Sequence, residues 1–281
     1  MTTTTQSPVS WQPLILANAP NGASRGKADH PNLPITPAEL ARTASEIREA
    51  GASLIHVHVR DRDGRHLLDA EAYREASAAI RVEVGDRLVL QITSEAGGRY
   101  AAPEQMAVVR AVRPEAVSLA LRELVPDAAS EPAAADFFAW TRRERIFLQV
   151  ILYSAEEVTR YRALKARGVL GEGQDFPLFV LGRYTAGQVS QPSDLLPFLA
   201  AAGEGTAPLW SMCAFGPKEN ACALVAAGLG GHTRIGFENN LFAPDGRRAE
   251  GNADQIRRAA EGARLLGRPL ADADAARALM A

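Results

Sequence analysis

In the stretch Ser53-Leu54-Ile55-His56-Val57-His58-Val59-Arg60 two histidines stand two residues apart. Successive side chains of a β-strand point to opposite faces, so His56, His58 and Arg60 share one face while Ile55, Val57 and Val59 share the other. Two imidazoles on one strand face can converge on a single divalent ion, and zinc, manganese, iron and nickel all accept such ligands. The alternative is a pair of hydrogen-bonded core histidines; an unpaired polar group in a core is costly. A second chemically rich set lies in His232-Thr233-Arg234-Ile235-Gly236-Phe237-Glu238-Asn239-Asn240. Ile235 and Phe237 take the apolar parity there, leaving Arg234, Gly236 and Glu238 for the other face. One use of Arg234 and Glu238 is an internal salt bridge. The other is a carboxylate that completes a ligand set with His56 and His58, leaving coordination positions open for water or a substrate oxygen.

For these residues to meet, the segments that carry them must be neighbours. Short runs rich in Val, Ile and Leu alternate along the chain with amphipathic stretches, the pattern of βα units around a parallel sheet. Eight candidate strands fall at 13–17, 53–60, 87–93, 116–121, 146–153, 178–182, 209–213 and 233–237. Between them, Thr36-Pro37-Ala38-Glu39 supplies an N-cap, a proline at the first helical position and a glutamate at the third, and that helix runs to Ala50 and stops at Gly51. Further helix starts are read at Asp69, Pro103, Ser154 and Gln191-Pro192-Ser193-Asp194. Eight such units predict an α/β fold, a (β/α)₈ TIM barrel in a single domain over 13–281, with 1–12 as a flexible N-terminal arm. An open doubly wound sheet has the same periodicity. In the closed form the last strand adjoins the first and the first adjoins the second, which brings Glu238 within reach of both histidines. The proline-bearing segments 122–132 and 171–177 are read as loops.

Composition narrows the partners. With 47% hydrophobic residues, 23% charged residues and a formal net charge of −2, the 281-residue chain has no bulk attraction to nucleic acid or to an anionic membrane, so small molecules or copies of itself are the expected partners. Cys213 and Cys222 lack the further thiols of a disulfide framework or a thiolate zinc site and are read as small buried hydrophobes. No basic and apolar leader opens the chain, and no apolar run approaches the roughly 20 residues that span a bilayer, so a soluble, cytoplasmic protein is expected.

Several segments carry a family likeness. Asn18-Ala19-Pro20-Asn21-Gly22-Ala23, Lys27 through Pro37, and Gly51-Ala52 leading into His56-Val57-His58-Val59-Arg60-Asp61 and Gly64-Arg65 resemble the β-keto acid cleavage enzymes, as do Gln91-Ile92-Thr93-Ser94, Phe179-Val180-Leu181-Gly182, Gly230 through Leu241 and Gly267 through Ala271. The archetype of that family is 3-keto-5-aminohexanoate cleavage enzyme. The resemblance implies a zinc-dependent barrel, usually a homotetramer, that condenses a β-keto acid with an acyl-CoA such as acetyl-CoA to give acetoacetate and a new CoA thioester. It implies zinc ligands at His56, His58 and Glu238, an active-site arginine at Arg234, carboxylate-binding hydroxyls at Thr93 and Ser94, and a pocket hydroxyl at Ser118. Thr93 and Ser94 read equally as strand-end capping hydroxyls.

The likeness also breaks at informative places. The aspartate that serves the archetype as base is Asn239 here, and an amide cannot take a proton; metal-bound hydroxide or Glu95 are the candidates to replace it. Ser24 stands where the archetype has a glutamate, Ala120 where it has an asparagine, and aliphatic residues around 150–152 where it has an acid. Those losses remove acidic groups suited to an amino-bearing substrate, so a different keto acid is expected. Arg122, Arg183 and Lys218, just past candidate strands, are read as exposed cations able to meet a carboxylate or CoA phosphates. Two other functions fit the same residues: a metal-dependent aldolase or hydrolase working without CoA, and a ligand-binding homologue that has lost its chemistry at Asn239.

Overall fold

In the computed structural model, which describes residues 11–173, 176–203 and 209–281, eight parallel strands close on themselves. They are β1 (Leu16–Asn18), β2 (Leu54–Val57), β3 (Val89–Thr93), β4 (Ala116–Ala120), β5 (Phe147–Leu152), β6 (Phe176–Leu181), β7 (Ser211–Ala214) and β8 (His232–Ile235). Each pairs with the next in the chain. The ring closes where Leu16, Ala17 and Asn18 pair with Thr233, Arg234 and Ile235, which excludes the open sheet. Of the expected arm, Trp11 and Gln12 alone fall among the described residues; 1–10 lie outside them.

Local chemistry sets the helix ends. In α1 (Pro37–Ala50) the Thr36 hydroxyl accepts from the Glu39 amide, and the Glu39 carboxylate accepts in return from the amides of Ile35 and Thr36. Gly51 then leaves the helix at φ 113°, a left-handed geometry in which a side chain is strained. Asp69 caps α2 (Ala70–Val84), and Ser154 caps the helix Ala155–Ala166. Two of the segments read as loops hold structure. The stretch 122–132 contains most of a short helix at Leu121–Leu124, a 3₁₀ turn at Ala128–Ser130 and the start of Glu131–Arg143, while Pro177 lies inside β6.

Strand alternation divides the core into two shells. Outward residues such as Leu16, Ile55, Val57, Leu90, Ile92 and Val117 pack under the helices. Inward residues Ile15, Ala17, Leu54, Val89, Ala116 and Phe176 fill the N-terminal end of the barrel, where Ala276 and Met280 of the last helix, Ala273–Met280, join them. That plugged end leaves the C-terminal mouth as the open end, the position of active sites in this architecture.

Arg268 ties the chain's ends together. Its guanidinium, on a residue only 1% exposed, donates to the carbonyls of Ala227 and Gly231 at 2.8 and 2.6 Å and of Gly230 at 3.3 Å, and its Nε donates to the Gln12 carbonyl at 2.9 Å. Ala227 is in the last turn of the helix Glu219–Gly228, Gly230 and Gly231 follow that helix, and Gln12 precedes β1, so one side chain gathers carbonyls from both segments. Arg268→Met keeps the stem and removes the donors. A loss of about 3 kcal/mol is expected, read as a lower denaturant midpoint at unchanged far-ultraviolet dichroism; an unchanged midpoint refutes the clamp.

Candidate active site

The strand expected at 53–60 splits at its most important point. β2 ends at Val57, and the His58 backbone is then paired by a side chain: its carbonyl accepts from Asn21 Nδ2 at 2.9 Å and its amide donates to Asn21 Oδ1 at 3.3 Å. Val59 and Arg60 turn away to pair antiparallel with Leu67 and His66. Alternation nevertheless continues through the break, so both imidazoles enter the barrel mouth. Arg60 is used differently: its guanidinium donates to the carbonyls of Asn21, Gly22, Arg25 and Gly64, pinning the loop after β1.

Glu238 sits three residues past β8, on a turn that needs two glycines. Gly236, at φ 148°, lies so close to the loop after β1 that a Cβ would sit 2.4 Å from the Ala19 carbonyl oxygen. Gly22, at φ 63°, lets that loop lie against Glu238 itself, whose Cγ would be 2.6 Å from an added Cβ.

Three ligand atoms converge as a result. His56 Nε2 and His58 Nε2 are 3.1 Å apart, and each is 3.7 Å from Glu238 Oε2. Ligands about 2.0–2.1 Å from a tetrahedral zinc stand roughly 3.3 Å from one another, so the set fits such an ion with only small adjustment. The donor chemistry agrees. Burial pushes both imidazoles well below the ordinary histidine value, which leaves neutral rings with lone pairs to give. His56 Nδ1 donates to Gln91 Oε1 at 2.8 Å, and that bond commits Nε2 to the lone-pair role. Glu238 Oε2 is buried with no hydrogen-bond partner, a costly arrangement that a cation relieves. Among the described residues, His56, His58 and Glu238 form the group of histidine, cysteine and acidic side chains arranged to hold an ion.

Around this set the mouth is charged and largely buried. Arg234 is buried, with Nη2 3.6 Å from Glu238 Oε1 and 3.8 Å from Cys213 Sγ, while its Nε and Nη1 have no hydrogen-bond partner. Burial and then the charge of Glu238 push the Glu95 carboxyl up to about 7. Glu95 Oε2 lies 3.8 Å from His58 Nε2, and Oε1 lies 3.9 Å from Arg183. Glu95 and Arg183 also line a second, wider cleft with Ser24, Arg65, His66 and Arg99, so these two side chains stand between the two openings.

The residues expected to bind substrate separate. Thr93 faces the cleft, and its hydroxyl accepts from the Glu95 amide at 3.0 Å and lies 3.4 Å from the Ser118 hydroxyl. Ser94 has the opposite parity, and its hydroxyl lies 3.5 Å from the Gln105 side chain on α3 (Ala102–Val112), away from the metal-ready set. Ser24 is exposed at the rim of the wider cleft. Asn239 is fully buried behind the mouth, where its amide nitrogen donates to Glu219 Oε1 at 3.2 Å and to the Arg234 carbonyl at 3.3 Å. Glu219 gathers the turn: it also accepts from the Gly236 amide at 3.0 Å and from Asn240 Nδ2 at 3.4 Å.

Sequence reading gave no role to Gln91, Asn21, Tyr153, Phe215 or Glu219. Gln91 alone had a usable signal: it has inward parity, two residues before Thr93, and it pairs directly with His56 in the sheet register.

Fold and site together define a (β/α)₈ barrel with a cation-ready His-His-Glu set at its C-terminal mouth. The model of the beta-keto acid cleavage enzyme family matches residues 13–281, and the chain belongs to that family. It is 27% identical over 284 residues to a 3-keto-5-aminohexanoate cleavage enzyme of Fusobacterium nucleatum, covering 95% of this chain and 97% of that protein. It is 26% identical over 275 residues to a 3-oxoadipate:acetyl-CoA acetyltransferase of Cupriavidus necator, covering 96% and 95% respectively. Among solved structures, apo ObcA superposes with a TM-score of 0.71 at 19% identity over 89% of this chain, which spans 65% of ObcA's length. Among the described residues no helix is long and apolar enough to cross a membrane.

Two measurements follow. His58→Ala is expected to abolish stoichiometric zinc retention while the barrel stays folded, and Gln91→Leu to weaken zinc binding about 10–100-fold; competition against a chromogenic chelator reads both, and full retention in His58→Ala refutes the ligand set. Glu219, pushed by burial from the ordinary 4.5 up to about 8, binds its proton more tightly folded than unfolded. Stability therefore falls as pH rises through that window, because the native state is the one holding the extra proton. Glu219→Gln in metal-free protein is expected to flatten the fall in denaturant midpoint between about pH 5 and 8; slopes identical to wild type refute the assignment.

Proposed function

We propose that this protein is a zinc-dependent β-keto acid cleavage enzyme, which converts a β-keto acid and an acyl-CoA such as acetyl-CoA into acetoacetate and a new CoA thioester. The observation that carries the reading is the convergence of His56, His58 and Glu238 beside Arg234, whose Nε and Nη1 lack partners. The names of the Fusobacterium and Cupriavidus relatives support the same class of chemistry. Following the family resemblance, the proposal includes a homotetramer working in the cytoplasm.

Zinc held by His56, His58 and Glu238 would supply Lewis acidity to stabilise negative charge developing on the substrate. The rest falls to side chains. Arg234 pairs with the substrate carboxylate through its two unpartnered donors, and Thr93 adds a hydroxyl to that pocket. Glu95 is the acidic side chain lining the cleft that remains once Glu238 is committed to the ion, and it takes the proton lost from the carbon between the keto and carboxylate groups. Asn239 holds the turn and moves no proton. In the exchange, the substrate's acyl group leaves that carbon for the CoA sulfur, and the acetyl group moves from sulfur to the carbon. One C–C and one C–S bond break and one of each forms, so no oxidant or reductant is needed.

Zinc-loaded protein is expected to convert members of a β-keto acid panel with acetyl-CoA into acetoacetate and a matching thioester in equal amounts, read by mass spectrometry. Arg234→Gln should lower kcat/KM by about 100-fold or more with zinc retained. Absence of thioester exchange across the panel sinks the proposal; keto acid cleavage without CoA redirects it to an aldolase or hydrolase.

A further inference from the structure

The mouth of the barrel is divided in two. The ligand atoms and Arg234 come from β2 and β8, on either side of β1. The inner faces of β4 through β7 carry a contiguous apolar cluster instead, made of Ala120, Ile151, Leu178, Val180, Cys213 and Phe215, with Tyr153 packed against it. Ile151, Val180, Phe215 and Tyr153 line the same cleft as His56, Glu238 and Arg234. A molecule anchored on the metal side has this wall opposite it, with Glu95 and Arg183 lining the same cleft.

Charges near the wall are already engaged. Arg183 stands 3.9 Å from Glu95, and its guanidinium lies 5.3 Å from the Phe215 ring centre. Arg122 lies 4.6 and 4.9 Å from the ring centres of Tyr153 and Tyr184 and is ion-paired to Glu157. Arg122 is held by its ion pair and rings, while Arg183 faces Glu95 beyond hydrogen-bond distance and lines the cleft itself. Arg234 differs: it is buried and two of its donors are unpaired. Of the two guanidinium groups lining the cleft, Arg234 is the buried one with unpaired donors, which the shared carboxylate of any β-keto acid occupies; Arg183 already faces Glu95, and the apolar wall lies opposite Arg234.

Resting on the function proposed above, we infer that the keto acid this chain accepts carries a short, uncharged, apolar substituent on its keto carbon, seated against Ile151, Val180 and Phe215. Each methylene that reaches the wall raises transition-state binding by about fourfold, until Tyr153 and Phe215 end the space. An ammonium or second carboxylate pressed against the same side chains loses its water and gains a partner only by breaking the facing pair of Glu95 and Arg183.

The test compares kcat/KM of zinc-loaded protein with acetyl-CoA for 3-oxopentanoate, 3-oxohexanoate, 3-oxoadipate and 5-amino-3-oxohexanoate. Expected are a gain of about fourfold from the first to the second and values at least about 100-fold lower for the two charged acids. Val180→Ala should move the optimum to a longer chain, and Ile151→Glu should narrow the deficit of the amino-bearing acid. A charged acid matching 3-oxohexanoate, or a chain-length profile unmoved by Val180→Ala, overturns the inference. Calorimetry of the same acids without acyl-CoA separates it from its parent: if no acid is turned over the exchange reading fails, while the ranking of binding still decides whether the wall selects apolar groups.

Discussion

Pairing of β1 with β8 is the constraint on which the rest depends. Ala17 aligns with Arg234 on one side and Leu54 on the other, so the shortest strand in the ring bridges the two that carry the ligand atoms. Without that closure Glu238 has no route to His56 and His58. The closure in turn needs the chain to pass at near backbone contact, which Gly236 permits against Ala19 and Gly22 permits against Glu238. Arg268 and the last helix pack at the opposite end.

The mouth also holds some of the buried polar atoms that the fold leaves unsatisfied. Glu238 Oε2, Arg234 Nε and Nη1, and His58 Nδ1 are all buried without partners among the described residues. In an ordinary core each such atom costs of order 1–3 kcal/mol. Gathered around one cleft, they form a surface prepared for an ion and an anion, with the cost of their desolvation already met during folding.

Asn239 changes meaning between sequence and structure. Compared with the family archetype it reads as a lost base. In the barrel it is a donor to Glu219, a buried carboxyl pushed up to about 8 that also receives the Gly236 amide and Asn240. The turn that presents Glu238 is therefore braced from behind by an acid on the neighbouring helix, while in the cleft itself Glu95 stands between His58 and Arg183.

What the amino-acid sequence determined by itself was local or periodic. The shared face of His56 and His58 follows from alternation within one strand, the ends of α1 follow from Thr36, Glu39 and Gly51 within a turn of each cap, and the motifs that resemble the family are short runs. Tertiary structure decided everything that depends on who stands opposite whom. Asn18 bonds to the Ile235 carbonyl 217 positions away, and no periodicity encodes that partnership. The same is true of Gln91 fixing the His56 tautomer, of Asn21 replacing a strand neighbour at His58, and of Ser94 turning outward while Thr93 turns in. The apolar wall was the least legible of all, because Ile151, Val180 and Phe215 look like any buried strand residues until the barrel closes and sets them across from Arg234.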